Sequence, residues 1–167
     1  VAGSSRFVDV RNNILVAGGA GNYALVVERG AQRDMTSDYN LFHVTSGAQL
    51  GSWQTAFGSL QAWQLETGVD RHSLVGDPRF VNPAGADGVL GAGGASLGAD
   101  DNFALGSTVG SYFGGAWSAQ DVDSIALDAG DPASAFAAEA TPLGTLAAQF
   151  ATQTGGRINL GADGNTG

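Results

Sequence analysis

Two short stretches, Asn12-Asn13-Ile14-Leu15 and its echo Tyr39-Asn40-Leu41-Phe42, decide the reading of the fold, with Asn13 and Asn40 27 residues apart. Each sets an asparagine before an apolar pair. Repeats of roughly 20 to 50 residues mark solenoids, in which each unit covers its neighbour's apolar face. An asparagine at one phase of successive coils suits a parallel β-helix, because side-chain amides stacked at a bend can hydrogen-bond to one another and to the turn backbone.

Working outward, Phe7-Val8-Asp9-Val10, Ile14-Leu15-Val16, Tyr23-Ala24-Leu25-Val26-Val27 and Tyr39-Asn40-Leu41-Phe42-His43-Val44 are short runs rich in β-branched and aromatic residues. Turn formers such as residues 17–22 bound them, which predicts strands. Ser59 predicts the cap of a short helix carrying Leu60 and Trp63 on one face, with Gly68 as its left-handed stop. Residues 83–101, almost all glycine, alanine and aspartate, read as a long loop. Asn102-Phe103-Ala104-Leu105, Ser124-Ile125-Ala126-Leu127 and Arg157-Ile158-Asn159-Leu160 read as later strands, and residues 146–150 as a helical turn.

Composition narrows the function. The 167 residues suffice for one domain, and glycine supplies 27 of them. Seven arginines and no lysine face 16 carboxylates, for a net charge of -9. Nucleic acid is excluded as a partner, since binding it needs clustered basic side chains. No apolar run approaches the roughly 20 residues of a spanning helix, so membrane insertion is not expected. Without cysteine there is no disulfide or thiolate metal site, and without lysine no Schiff base. No secretory leader is visible at Val1-Ala2-Gly3, so any such leader is expected to lie outside this stretch.

Several motifs together carry a resemblance. Ser37-Asp38-Tyr39-Asn40-Leu41-Phe42 is similar to a coil of bacterial right-handed parallel β-helix repeat proteins, the pectate-lyase-like group that includes large secreted and surface proteins. Trp63-Gln64, Thr67-Gly68-Val69-Asp70-Arg71-His72-Ser73 and Asp77-Pro78-Arg79-Phe80-Val81 resemble the closing coil of that group. Ala86-Asp87-Gly88-Val89-Leu90-Gly91 with Asp100-Asp101-Asn102-Phe103 resembles the acidic loop that follows. Leu127-Asp128-Ala129-Gly130-Asp131-Pro132 and Gly155-Gly156-Arg157-Ile158-Asn159-Leu160-Gly161-Ala162 resemble its terminal signature. The resemblance implies an all-β fold: the C-terminal coils of a right-handed parallel β-helix, with a loop-rich cap and one or two short helices. Residues 1–167 would then form a single end domain, with coils over about 1–58 and a capping region over about 59–167, cut from a larger protein. Residues 91–99 and 143–153 read as insertions relative to the group, and Asp163 stands where an aromatic is more usual.

Candidate sites follow from residue chemistry. Asp87, Asp100 and Asp101, spaced by glycine, are candidate calcium ligands, because calcium takes six to eight oxygens; the alternative is a solvated acidic loop. Trp53, Tyr112 and Trp117 are candidate sugar contacts, since flat rings suit stacking, although Trp53 and Trp63 also fit a core roof. Asp128 and Asp131 read as turn formers, with Arg157 as their ion-pair partner, tying the chain end to this turn. His72, between Asp70 and Asp77, and His43 read as structural rather than catalytic.

The function expected is a non-catalytic structural or adhesive module of a secreted or cell-surface protein that contacts polysaccharide. The alternative is a fragment of a polysaccharide lyase or glycoside hydrolase whose active site lies in other coils. No cofactor is required, with calcium the one candidate. The open strand edge at Phe7-Val8-Asp9-Val10 is expected to pair with a preceding coil or another protein chain.

Overall fold

The computed structural model describes residues 1–3, 5–94, 96–135 and 157–161. The chain opens with strands β1 (Asp9–Arg11), β2 (Ile14–Gly18) and β3 (Tyr23–Val26). A second pass supplies β4 (Thr36–Asp38), β5 (Leu41–Thr45) and β6 (Gln49–Ser52). Each second-pass strand lies parallel to its first-pass counterpart: Val10 faces Ser37, Leu15 faces Phe42 and Tyr23 faces Gln49. The offset of β3 on β6 is one residue shorter, and the 27-residue repeat is therefore the pairing register of β1 on β4 and of β2 on β5. At its bend Asn13 donates through its backbone N–H and side-chain amide to Asn40 Oδ1, at 3.1 and 3.2 Å.

After β7 (Ala56–Phe57) comes the helix α1 (Leu60–Thr67), then β8 (Leu74–Val75), which adds in parallel to the far side of β5. Ser59 Oγ caps α1 by accepting from Ala62 N–H at 3.3 Å, and Gly68 ends it at φ 74°, the left-handed region that favours glycine. The remaining strands are β9 (Phe80–Asn82), β10 (Asn102–Leu105), β11 (Ser111–Phe113) and β12 (Ala116–Ser118).

The right-handed parallel β-helix expected from the sequence is not the architecture. The described residues form five separate sheets of two or three strands, and the β6–β7, β9–β10 and β11–β12 pairings are antiparallel. Parallel pairing stops at Val75. Beyond it Pro78 and Pro83 remove ladder donors and glycine dominates residues 84–98, so later strands find partners through local turns. Two further strand expectations also fail. Residues 124–127 form a turn in which Ser124 Oγ accepts from Ala126 N–H at 3.1 Å, and residues 157–160 are irregular. The helical turn expected at 146–150 lies outside the described residues.

Two cores result. Leu25, Val27, Met35, Phe42, Leu50 and Trp63 form the first; Leu41, Leu105, Ala126 and Leu160 form the second. Leu41 and Phe42, neighbours on β5 and both wholly buried, point to opposite faces and serve one core each. Trp63 centres the first core. Trp53 and Phe57 meet it edge-on at 5.8 and 5.7 Å, and its ring lies flat on Gly51, where an added Cβ would come within 2.6 Å of it.

Candidate functional site

Four polar constellations and one aromatic surface stand out. The most buried is built around Asp70, which sits in left-handed backbone at φ 59°. Its Oδ1 accepts from Ser37 Oγ at 2.9 Å, Ser73 Oγ at 2.7 Å and Asn40 Nδ2 at 2.9 Å, and its Oδ2 accepts from Trp63 Nε1 at 2.8 Å. Four structural donors thus converge on the carboxylate, three on Oδ1 and one on Oδ2. Asp70 holds α1 to the second pass and is closed to solvent.

On the adjoining surface, His72 Nδ1 donates to Asp38 Oδ2 at 2.7 Å, while Tyr39 and His72 N–H groups donate to Asp38 Oδ1 at 2.9 and 2.7 Å. Burial pushes the Asp38 carboxyl upward, but these three hydrogen bonds outweigh it and hold the group below the usual carboxylate range. The His72 imidazole stacks on Tyr39 at 4.8 Å. Sequence reasoning set His72 between Asp70 and Asp77; its partner is a carboxylate 34 residues upstream. A second offset of 33 residues, which places Asn40 against Ser73, carries the signal that would have found it. A groove of about 270 Å³ beside this pair is lined by Arg11, Met35, Tyr39, Val69 and Arg71, among others.

The chain-end turn is tied differently from expectation. The Arg157 Nε donates to the Gly130 carbonyl at 2.8 Å, its Nη2 bonds the Gly130 and Ala129 carbonyls, and its guanidinium lies 5.6 Å from the Tyr39 ring centre. Asp131 instead accepts from Arg11 Nη1 at 2.7 Å, and Asp128 N–H donates to Asn159 Oδ1 at 2.6 Å. Hydrogen bonds to Asp9 and then Asp131 raise the Arg11 guanidinium above its ordinary value.

In the acidic loop, Asp87 accepts from Val89 N–H at 2.9 Å and from Ser96 Oγ at 2.7 Å, and Asp100 Oδ2 accepts from Asp87 N–H at 3.0 Å. The Ser96 hydroxyl also contacts Asp100 Oδ1. Hydrogen bonding from Ser96 leads in holding both carboxyls below their ordinary values. Asp101 turns Oδ2 to Gly91 N–H at 2.7 Å, while its Oδ1 is buried without a hydrogen-bond partner. The loop brings Asp87 and Asp100 to a shared serine and directs Asp101 elsewhere. Among the described residues, no group of three or more histidines or carboxylates stands close enough to hold a metal ion.

The aromatic surface is the β11–β12 hairpin. Its turn, Gly114-Gly115, has φ 59° and 88° at successive residues, the two-residue geometry that matches strand twist and that glycine adopts freely. The sequence reading placed no strand at Tyr112 or Trp117; the Gly-Gly pair between apolar runs is the hairpin signal that would have found them. Tyr112 pairs with Trp117 across the strands, ring centres 5.5 Å apart, and Tyr112 and Phe113 are 46% and 42% exposed. Trp53, by contrast, is half-buried against the first core, edge-on to Trp63.

The hairpin is braced from below. Gln120 Oε1 accepts from Ser107 N–H at 3.0 Å and Ser111 Oγ at 2.9 Å, while its Nε2 donates to the Ser118 carbonyl at 2.9 Å. Gly110, at φ 123°, lies under the Trp117 ring, which an added Cβ would meet at 3.4 Å. Ser107 and Val109 lie on the wall of an open depression of about 270 Å³ that Asp123 and Asp128 also line. The hairpin thus springs from the segment that walls a depression carrying carboxylates, and ring faces and carboxylates are groups that bind a hydroxyl-rich ring. No family model, curated protein or solved structure matches the chain.

Proposed function

We propose that the chain is a non-catalytic structural or adhesive module of a secreted or cell-surface protein that contacts polysaccharide through the β11–β12 hairpin. The observation carrying this reading is the cross-strand pair of exposed Tyr112 and half-buried Trp117, seated on Gly110 and braced by Gln120. Exposed aromatic faces held rigid lose little entropy on binding and offer the apolar faces of sugar rings a flat partner. The module reading draws support from the first pass. Among the described residues, β1, β2 and β3 each pair with a strand on one side only, leaving edges to which another segment or chain can add.

The test is a glycan array read with the wild-type chain and Tyr112→Ala, together with reducing-end and unsaturation assays on the glycans that bind. Binding without turnover is expected. Loss of one ring contact worth about 1 kcal/mol should weaken binding about fivefold. Turnover by this chain, or binding indifferent to Tyr112→Ala, refutes the proposal.

A further inference from the structure

The charge of the chain is sharply segregated. Between residues 80 and 156 the sequence holds eight carboxylates, including Asp121, Asp123 and Asp128, and no arginine, lysine or histidine. Every basic residue but Arg157 precedes that interval. The hairpin falls inside it, and among the described residues the depression is lined by two carboxylates and by no arginine or histidine. What it does offer is acceptors. Asp123 Oδ1 accepts from Thr108 N–H at 2.6 Å, which fixes the carboxylate beside Thr108 on the wall of the depression. A carboxylate fixed through one oxygen keeps lone pairs on the other for a hydroxyl donor.

We infer that the Tyr112–Trp117 platform and the depression lined by Thr108, Asp123 and Asp128 together form a subsite for neutral hexopyranose units, one that discriminates against uronates. The inference rests on the reading of the hairpin as a glycan contact and adds the class of sugar. A neutral sugar presents a ring face to the aromatic pair and donates a hydroxyl hydrogen to the Asp123 carboxylate. A uronate presents the same ring, but its own carboxylate has no hydrogen to donate and meets like charge at Asp123. Binding of the neutral sugar involves no net charge pairing, so it should be almost indifferent to salt, whereas charge-steered binding weakens as salt rises.

The experiment uses an array of neutral oligohexosides and their C6-oxidised uronate counterparts of equal length, with wild-type chain, Tyr112→Ala and Asp123→Asn at low and high salt. Asp123 is exposed, and an asparagine there can still accept from Thr108 N–H through its own oxygen, so that variant should fold as wild type does. The expected result is binding of at least one neutral oligohexoside that Tyr112→Ala weakens. Its uronate counterpart should bind at least about tenfold more weakly, and Asp123→Asn should narrow that gap. Equal or tighter uronate binding that still depends on Tyr112, or a gap that Asp123→Asn leaves unchanged, overturns the assignment of sugar class while leaving the hairpin as the contact. Absence of binding to both sets, or binding that ignores Tyr112→Ala, overturns the hairpin reading itself.

Discussion

Asp70→Asn is the substitution that most directly tests how the two passes and α1 are held together. Asparagine tolerates left-handed backbone about as well as aspartate, so the change at φ 59° leaves the main chain undisturbed and isolates the side chain. The carboxylate accepts on both oxygens; the amide accepts on one and must aim two hydrogens where the other was. If the amide oxygen faces Ser37, Ser73 and Asn40, its NH2 confronts Trp63 Nε1–H, now 2.8 Å from a donor. If it faces Trp63, the two serine hydroxyls can rotate to accept, but the Asn40 amide, 2.9 Å away, cannot. Either orientation loses one hydrogen bond and buries one donor against another. A buried unsatisfied donor costs about 1–3 kcal/mol and the lost bond about 1 kcal/mol more, for a total near 3 kcal/mol. For a chain of this size that lowers Tm by roughly 6–12 °C.

Urea and thermal unfolding, followed by tryptophan fluorescence and far-ultraviolet circular dichroism, would measure the loss. Trp63→Phe in the Asp70→Asn background removes the competing indole donor, so the pair should be less destabilised than the sum of the single changes. A Tm within about 2 °C of wild type for Asp70→Asn would refute the account of Asp70 as the acceptor that locks α1 to the second pass.

Gly51→Ala should destabilise by about 1–3 kcal/mol in the same unfolding assays, because its Cβ would lie 2.6 and 2.8 Å from Trp63 ring carbons and the ring is boxed in by Trp53 and Phe57. Asp38 is held below its ordinary value in the folded state, so its contribution is complete above the unfolded carboxylate range near pH ~3.9 and is lost as pH falls through the folded value. Wild type should therefore lose Tm more steeply than Asp38→Asn below about pH 4, and the two curves should run parallel above about pH 5. Gly85→Ala places a Cβ 2.4 Å from the Asp100 carboxylate at a backbone φ of 63°, and limited proteolysis should then cut residues 85–101 first. Because Asp87 and Asp100 direct their oxygens at Val89, Ser96 and Asp87 donors, a chelator should move Tm by less than about 1 °C; a rise in Tm on adding calcium would overturn their reading as turn anchors.

What the sequence disclosed was periodic or local. The Asn13–Asn40 repeat named the register of β2 on β5, and Ser59 with Gly68 named the ends of α1, because amide stacking and helix capping act through residue types at fixed spacing. What it concealed depended on partners. Thr36-Ser37-Asp38 and Gln49-Leu50-Gly51-Ser52 lack an apolar run and become strands only because a first-pass edge is there to receive them. Ser124-Ile125-Ala126-Leu127 has strand composition, yet its serine bonds its own backbone and turns the chain. Asp70 reads as a surface turn residue because buried carboxylates are rare, and nothing local announces the indole 7 residues upstream that it serves. The solenoid expectation failed for a related reason: two passes share a period, but the residues after Val75 offer no third stretch at that spacing for the ladder to continue.

The polar contacts, more than the apolar ones, fix which residue meets which. A one-residue slip of β5 would exchange Leu41 and Phe42 between two apolar cores, a swap that hydrophobicity alone penalises weakly. Asn40 cannot slip. Its side-chain amide donates to the Val10 carbonyl at 2.9 Å and to Asp70 at 2.9 Å, and its backbone N–H donates to Ser73 Oγ at 2.8 Å, so one residue touches the first pass, the second pass and the segment after α1. The hairpin platform has no part in that network, standing on Gln120, Ser107 and Gly110 instead. Stability and glycan contact are therefore separable. Asp70→Asn should lower Tm without changing the affinity of the folded chain for a neutral oligohexoside, and Tyr112→Ala, at an exposed position, should do the reverse. A fall in affinity from Asp70→Asn measured well below its Tm would mean that the platform is positioned by the first core, and that the bracing assigned to Gln120 is insufficient.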